Sequence, residues 1–208
     1  QYDNLALPNK FFNNLKIYYQ FYRNRILSNN FKIKGFIGCG SIGRFYSKKI
    51  FPYSPFISVA SPLVNWRKLD RVLNDKYNVF VDENVSFSPD AKLANIKFNN
   101  DPAGYYVRIN NFLSKVEDTT GIKTIIAASG KFYYDQNPYN DRKIVYGKTL
   151  QLIQHSSMVF GHGSSALYQA IIDKKPLMLI DDKSFTYEKR FMVIDYAARV
   201  TLKKVFNL

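Results

Sequence analysis

From Tyr77 onward, short apolar runs alternate with amphipathic stretches, and this alternation limits the possible folds more than any other feature of the sequence. The apolar runs have the length of buried strands, and the stretches between them carry apolar residues at helical spacing. The pattern predicts strands over 77–83, 123–129, 143–146, 158–161 and 176–181, and helices over 102–119, 149–157, 162–175 and 185–198. Because strands that alternate with helices pair in parallel, we predict an α/β, Rossmann-like fold in which helices flank a parallel sheet.

The first part of the chain follows a different pattern. It predicts an amphipathic helix over 10–28, strands over 31–38 and 56–60, and a short helix over 41–50 between them. Prolines at 52, 55 and 62 interrupt the second half of this region. We therefore predict two domains, 1–62 and 63–208, of which the first contains a helix and the end of a further Rossmann-like unit.

A glycine-rich stretch, GFIGCGSIGRFY at 35–46, matches the G-x-G-x-x-G pattern of dinucleotide-binding turns. Such a site also needs an acidic residue about 20 positions further on, to bind the ribose. Residues 56–66, FISVASPLVNW, contain no Asp or Glu, so an NAD-dependent oxidoreductase is the weakest of the enzyme hypotheses. We expect a turn without a cofactor, whose residues Gly38, Gly40 and Ser41 contact an acceptor or a sugar in a cleft.

A better phosphate site lies at 158–180, MVFGHGSSALYQAIIDKKPLMLI. Here a strand ends at Gly161, and Gly163, Ser164 and Ser165 are predicted to open a helix whose free N–H groups and hydroxyls bind phosphate. His162 stands at the carboxyl end of the strand, where open α/β sheets bind ligands. The structural alternatives are plain N-capping by the serines and a polar turn at His162.

Polar residues follow the other strands as well. Asp82 and Glu83 come after a buried strand, and paired carboxylates there suit a general base, a cation anchor or a ribose ligand. The remaining candidates for phosphate binding are Ser129, Gly130, Lys131, Lys148 and Thr149. Gly147-Lys148-Thr149 is no Walker loop, because Arg142 stands where that loop needs glycine. For the lysines, a solvated surface role is the alternative.

The formal net charge of +14 favours anionic partners. The basic residues are scattered, which fits an anionic membrane surface or a solubilising coat, and we predict no nucleic-acid partner. With one cysteine and two histidines, we predict no disulfide and no metal site. No run reaches the roughly 18 apolar residues of a membrane span, so we expect a cytoplasmic location.

Residues 56–185 resemble the C-terminal, nucleotide-sugar-binding half of GT-B glycosyltransferases that build bacterial capsule and lipopolysaccharide. The resemblance lies in the acidic pair within VFVDENVSFSPD, in RKIVYGKT, and in VFGHGSSALYQAIIDKKPL. It is closest to sialyltransferases and Kdo transferases that use CMP-sugars. It implies that 63–208 bind the donor and that 1–62 are part of an N-terminal domain.

The resemblance also implies roles. The donor is a CMP- or UDP-linked sugar with no further cofactor, and the acceptor is a lipid-linked or free oligosaccharide at the inner face of the inner membrane. Asp82 and Glu83 match the acidic pair that includes the base, and Ser164 and Ser165 match the phosphate-binding hydroxyls. At 129–130 these relatives have His-Pro and this chain has Ser-Gly. We therefore predict that His162 or Lys131 stabilises the departing phosphate.

Two alternatives remain open at this point. A sugar-nucleotide epimerase has the same two-domain architecture and would epimerise a sugar without any acceptor. A non-catalytic domain that binds glycan or another subunit would bind no nucleotide sugar at all.

Overall fold

The computed structural model describes part of the chain: residues 35–39, 44, 47–48, 54–59, 68–88, 92–93, 97–187, 189–195, 197–198 and 204–208. The chain divides into two compact units, Gln1–Pro62 and Leu63–Leu208.

The first unit contains two short parallel strands, β1 (Phe36–Cys39) and β2 (Phe56–Val59). Gly38 lies within β1 and is partly exposed. The predicted helix over 10–28 lies outside the described residues, as do Gly40, Ser41 and most of the predicted helix over 41–50. The acceptor-contacting role of the glycine turn therefore stays a prediction.

The second unit is built on a six-stranded sheet in which all pairs of neighbouring strands are parallel. Its strands are β3 (Asn78–Asp82), β4 (Thr124–Ala128), β5 (Ile144–Tyr146), β6 (Val159–Gly161), β7 (Leu177–Asp181) and β8 (Val205–Asn207). The helices are α1 (Pro102–Thr120), α2 (Thr149–His155) and α3 (Leu167–Ile172), followed by a π-helix at Lys189–Ile194. The predicted α/β, Rossmann-like parallel sheet with flanking helices is confirmed.

The strand order, β5-β4-β3-β6-β7-β8, has one point at which the chain changes direction across the sheet. From β3 the chain adds β4 and β5 on one side, and it then returns to add β6, β7 and β8 on the other. In open α/β sheets, ligands bind beyond the carboxyl ends of the strands at such a switch point. The strand order therefore predicts a ligand site beside the residues that follow β3 and β6.

The core covers both faces of the sheet because successive side chains of a strand point to opposite faces. In β3, Val79 and Val81 pack in a cluster with Leu152 of α2 and Leu167 of α3. Phe80 points the other way and packs with Ile109 of α1. All five residues of β3 are buried, as expected for a central parallel strand.

The limits of α1 follow from its sequence. The Asp101 carboxylate accepts a hydrogen bond of 3.0 Å from the Gly104 N–H, and Pro102 occupies the first turn, where its missing N–H costs nothing. At the other end Gly121 adopts the left-handed conformation, with φ 66°, and its N–H bonds to the Glu117 carbonyl. These residues determine where α1 begins and ends, and α1 contains Tyr105 and Tyr106.

Two predicted helices differ from the structure. The helix predicted over 162–175 is shorter, because Ala166 N bonds to Ser164 Oγ and Leu167 N to Ser164 O, which forms a turn before α3 begins. In the segment predicted as a helix over 185–198, Phe185 is held in an antiparallel bridge with Asn99, and the π-helix starts after it. The edge strand β8 was not included in any prediction.

Candidate functional site

A cavity of about 610 Å³ opens at the switch point of the second unit, a size typical of small-molecule sites. Its walls come from segments that follow the carboxyl ends of four neighbouring strands, β3, β4, β5 and β6. The predicted site residues in its lining are Asp82, Glu83, Ser129, Gly130, Lys131, Thr149, Gly163, Ser164 and Ser165. The predicted residues His162 and Lys148 are absent from this lining. The cavity thus brings these predicted site residues together. Their roles in binding and catalysis stay predictions.

Asp82 is the last residue of β3 and is 4% exposed. Its Oδ2 accepts a hydrogen bond of 2.6 Å from the Tyr134 hydroxyl, and its Oδ1 accepts one of 2.7 Å from the Asn84 N–H. Burial raises the pKa of Asp82, and the two hydrogen bonds act in the opposite sense because they stabilise the charged form. A carboxylate with a raised pKa in a cavity wall suits proton transfer.

Glu83 has a different environment although it is the next residue. Its Oε2 lies 2.6 Å from Nζ of Lys189, and its Oε1 accepts a hydrogen bond of 2.7 Å from the Gly163 N–H. Burial acts to raise the pKa of Glu83, but the Lys189 ammonium and these hydrogen bonds outweigh it, and the pKa is lowered. A carboxylate held in this way is a poor base, so the prediction of two candidate bases is corrected to one, Asp82.

The same contact corrects the prediction for Gly163. Its N–H was expected to bind phosphate, but it donates to the Glu83 carboxylate. The expected opening of a helix at Gly163 is also wrong, because α3 begins at Leu167. What this wall does present to the cavity is Ser164 and Ser165, with Ser165 exposed.

His162 is fully buried, and both of its ring nitrogens are engaged. Nδ1 lies 2.8 Å from the Ile180 carbonyl and Nε2 lies 2.9 Å from the Tyr105 hydroxyl. A carbonyl only accepts, so Nδ1 carries the proton and Tyr105 donates to Nε2. Burial, with the nearby Lys189 ammonium, lowers the pKa of His162 to about 4. The predicted role in stabilising a leaving phosphate is therefore corrected: His162 is a neutral residue of the core.

Two glycines, Gly130 and Gly147, lie next to each other in the wall formed after β4 and β5. Gly147 has φ 67°, in the left-handed region that favours glycine. Between these strand ends the lining exposes Ser129, Lys131 and Thr149. Lys148 occupies the N-cap position of α2, is exposed and is absent from the cavity lining, and its contact with phosphate stays a prediction.

The structure adds residues to the site that the sequence analysis missed. Lys189 enters from the π-helix, 106 positions away from its partner Glu83, and no local signal indicated it. Phe132, in the loop that follows β4, lines the cavity, and the Tyr134 hydroxyl donates a hydrogen bond to Asp82. The aromatic triplet at 132–134, between the predicted strands over 123–129 and 143–146, was the available signal. Aromatic side chains in such a position offer a face for a planar ring.

Among the residues that the structure describes, no three His, Cys, Asp or Glu side chains are grouped so as to hold a metal ion. No helix in the described part of the chain is long and apolar enough to cross a membrane.

Comparison with known proteins gives one distant structural likeness. No family model and no curated protein matches the sequence. Among solved structures, the chain is similar to the glycosyltransferase SnogD from Streptomyces nogalater, with a TM-score of 0.38 and 14% sequence identity. The match covers 81% of this chain and 51% of SnogD, so the chain spans about half the length of that protein.

Proposed function

We propose that the second unit binds a nucleotide sugar and transfers its sugar to a hydroxyl group of a surface glycan. The observation that carries the proposal is the cavity at the switch point, which combines one carboxylate suited to proton transfer, Asp82, with a wall of hydroxyls at Ser164 and Ser165. Asp82, Ser164 and Ser165 also lie in the motifs that resemble those of GT-B glycosyltransferases. A CMP- or UDP-linked sugar is the expected donor.

The donor phosphate would lie against Ser164, Ser165 and Thr149, whose hydroxyls donate to phosphate oxygens. Glu83 does not oppose an anion here as a free carboxylate would, because Lys189 neutralises it. Lys131, at the rim of the same cavity, adds positive charge and is the remaining candidate to stabilise the leaving phosphate. The nucleobase would stack on Phe132.

Asp82 would act as the base. It takes the proton of the acceptor hydroxyl while the oxygen bonds to the anomeric carbon of the sugar, and the bond from that carbon to the phosphate oxygen breaks. The carboxylate has about four lone-pair directions, of which Tyr134 and Asn84 use two, so it can still accept from a substrate. The net charge of +14 supports an anionic, lipid-linked acceptor at a membrane surface.

A binding screen tests the donor assignment. Isothermal titration with CMP-, UDP- and GDP-sugars should identify one nucleotide that binds the wild-type chain. The variant Ser164→Ala with Ser165→Ala should then bind it at least about tenfold more weakly, because hydrogen bonds to a charged phosphate are lost. Ser157→Ala, outside the cavity lining, is the matched control and should bind like the wild type.

The outcomes separate the competing functions. Unchanged affinity in the double serine variant would show that the phosphate lies elsewhere. An epimerised sugar released without an acceptor would favour the epimerase. If saturating concentrations of all three nucleotide classes gave no binding, the proposal would be replaced by a non-catalytic binding domain.

A further inference from the structure

Asp82 is the base candidate of the site, and its shortest hydrogen bond comes from the hydroxyl of Tyr134. The distance from Tyr134 Oη to Asp82 Oδ2 is 2.6 Å, which is the short range of a hydrogen bond to a charged acceptor. Tyr134 stands 52 positions beyond Asp82 in the chain, in the loop between β4 and β5. This hydrogen bond therefore connects the loop between β4 and β5 to the end of the central strand, β3.

The direction of the hydrogen bonds follows from proton counting. An ionised carboxylate only accepts, so the single proton of the Tyr134 hydroxyl points to Asp82. The Tyr106 hydroxyl lies 3.4 Å from that of Tyr134 and must then donate to it. A second phenol thus polarises the first, which strengthens its bond to the carboxylate.

The ring of Tyr134 is fixed from several sides. Its backbone N–H donates to the Tyr146 hydroxyl of β5 at 3.2 Å. Its ring packs edge to face against Phe132 and Tyr139, with centroid distances of 5.5 and 5.9 Å. A hydroxyl on a ring held in this way keeps its place when the substrate enters.

Besides Tyr134, several charged and titratable side chains surround Asp82, and they come from different elements. Glu83 follows it in the chain and is paired with Lys189 of the π-helix. The phenols of Tyr105 and Tyr106 face it from α1, and that of Tyr139 faces it from the loop. Burial dominates the raised pKa of Asp82, and the Tyr134 hydrogen bond is the largest effect that lowers it.

We propose that Tyr134 is a positioning residue for Asp82: its hydroxyl fixes the orientation of the carboxylate in the cavity wall and stabilises the ionised form that accepts a proton. The inference rests on the proposed function for the role of Asp82 as base. The contact between the two side chains does not depend on that role, so the two can be tested separately.

The direct test is a ¹³C NMR titration of the Asp82 carboxyl group, assigned with the Asp82→Asn variant. In Tyr134→Phe the pKa of Asp82 should rise by roughly one unit, because a donor to the charged form is lost. Tyr106→Phe should give a smaller rise, since it removes only the donor behind Tyr134. Tyr133→Phe is the matched control in the same loop: this side chain is 72% exposed, and its variant should titrate like the wild type.

The kinetic test uses hydrolysis of the donor found in the binding screen, in which water replaces the acceptor hydroxyl. The acid limb of the kcat/KM profile of Tyr134→Phe should move to higher pH by the same interval as the carboxyl pKa. Hydrolysis by Asp82→Asn at the wild-type rate would overturn the base role of Asp82 in the proposed function. An Asp82 pKa in Tyr134→Phe equal to that of the wild type would overturn the inference about Tyr134.

Discussion

At the scale of single residues, Asp82 and Glu83 show how neighbours in sequence acquire different chemistry. Successive side chains at the end of a strand point in opposite directions, so Asp82 meets Tyr134 of the loop between β4 and β5, and Glu83 meets Lys189 of the π-helix. The acidic pair itself could be predicted from the sequence. Its division into one base candidate and one ion-pair partner could not, because Tyr134 and Lys189 are distant in the chain.

The Glu83–Lys189 pair should contribute mainly to stability. In Glu83→Gln the new amide can still accept from Gly163, but the Lys189 charge loses its partner while it remains buried. We expect the free energy of unfolding to fall by about 3 kcal/mol in urea titrations. Adding Lys189→Met to this variant should restore part of the loss, since no charge is then left buried.

A matched control is Arg190→Gln, which breaks a pair with Asp181 in which the arginine is 42% exposed. That change should cost less than about 1 kcal/mol. Equal losses in Glu83→Gln and Arg190→Gln would contradict the account of a buried pair.

His162 should stay neutral far below the usual range for histidine. The sequence contains two histidines, so a His155→Gln variant assigns both ring signals in an NMR titration. The pKa of His162 should be about 4. Because the pKa of an unfolded histidine is about 6.5, protons bind the unfolded chain first, and this residue should reduce stability as the pH falls from about 6.5 towards 4. A ring signal of His162 that titrates near 6.5 would show that the ring is not held between Ile180 and Tyr105.

At the scale of elements, the predictable features are those with local causes. Periodicity located β3 to β7, and Asp101, Pro102 and Gly121 marked the ends of α1, since caps and turns depend on adjacent residues. The sequence indicated a helix over 162–175 because the side-chain spacing there is helical. In the structure the chain forms a turn at Ser164, whose Oγ and carbonyl accept from the N–H groups of Ala166 and Leu167, and α3 begins only at Leu167.

The end of α1 gives a prediction at this scale. No atom outside its immediate chain neighbours lies within 4 Å of a Cβ added to Gly121, so its replacement costs only backbone energy. With φ 66°, Gly121→Ala should lower the free energy of unfolding by about 1 kcal/mol. Gly121→Asn, which tolerates the left-handed conformation better, should lose less. Urea denaturation measures the free energies of unfolding of the wild type and the two variants. An alanine variant as stable as the wild type would contradict a left-handed conformation at Gly121.

At the scale of the whole molecule, the strand order of the second unit determines where the cavity lies. Parallel strands bring their carboxyl ends to one edge, and the change of direction between β3 and β6 leaves a cavity there. The sequence allowed us to predict that Asp82, Ser129 and Ser164 share this edge. The aromatic wall and the Lys189 contact depend on how the loop after β4 and the π-helix pack over it, and only the structure reveals that.

The central claim is that a nucleotide sugar binds in this cavity, and a crystal structure of the complex with the nucleotide selected by the binding screen tests it most directly. We expect phosphate oxygens at about 3 Å from the Ser164 and Ser165 hydroxyls and the base against Phe132. The sugar should extend towards Asp82. A nucleotide bound elsewhere on the chain, with this cavity empty at saturating concentration, would contradict the claim.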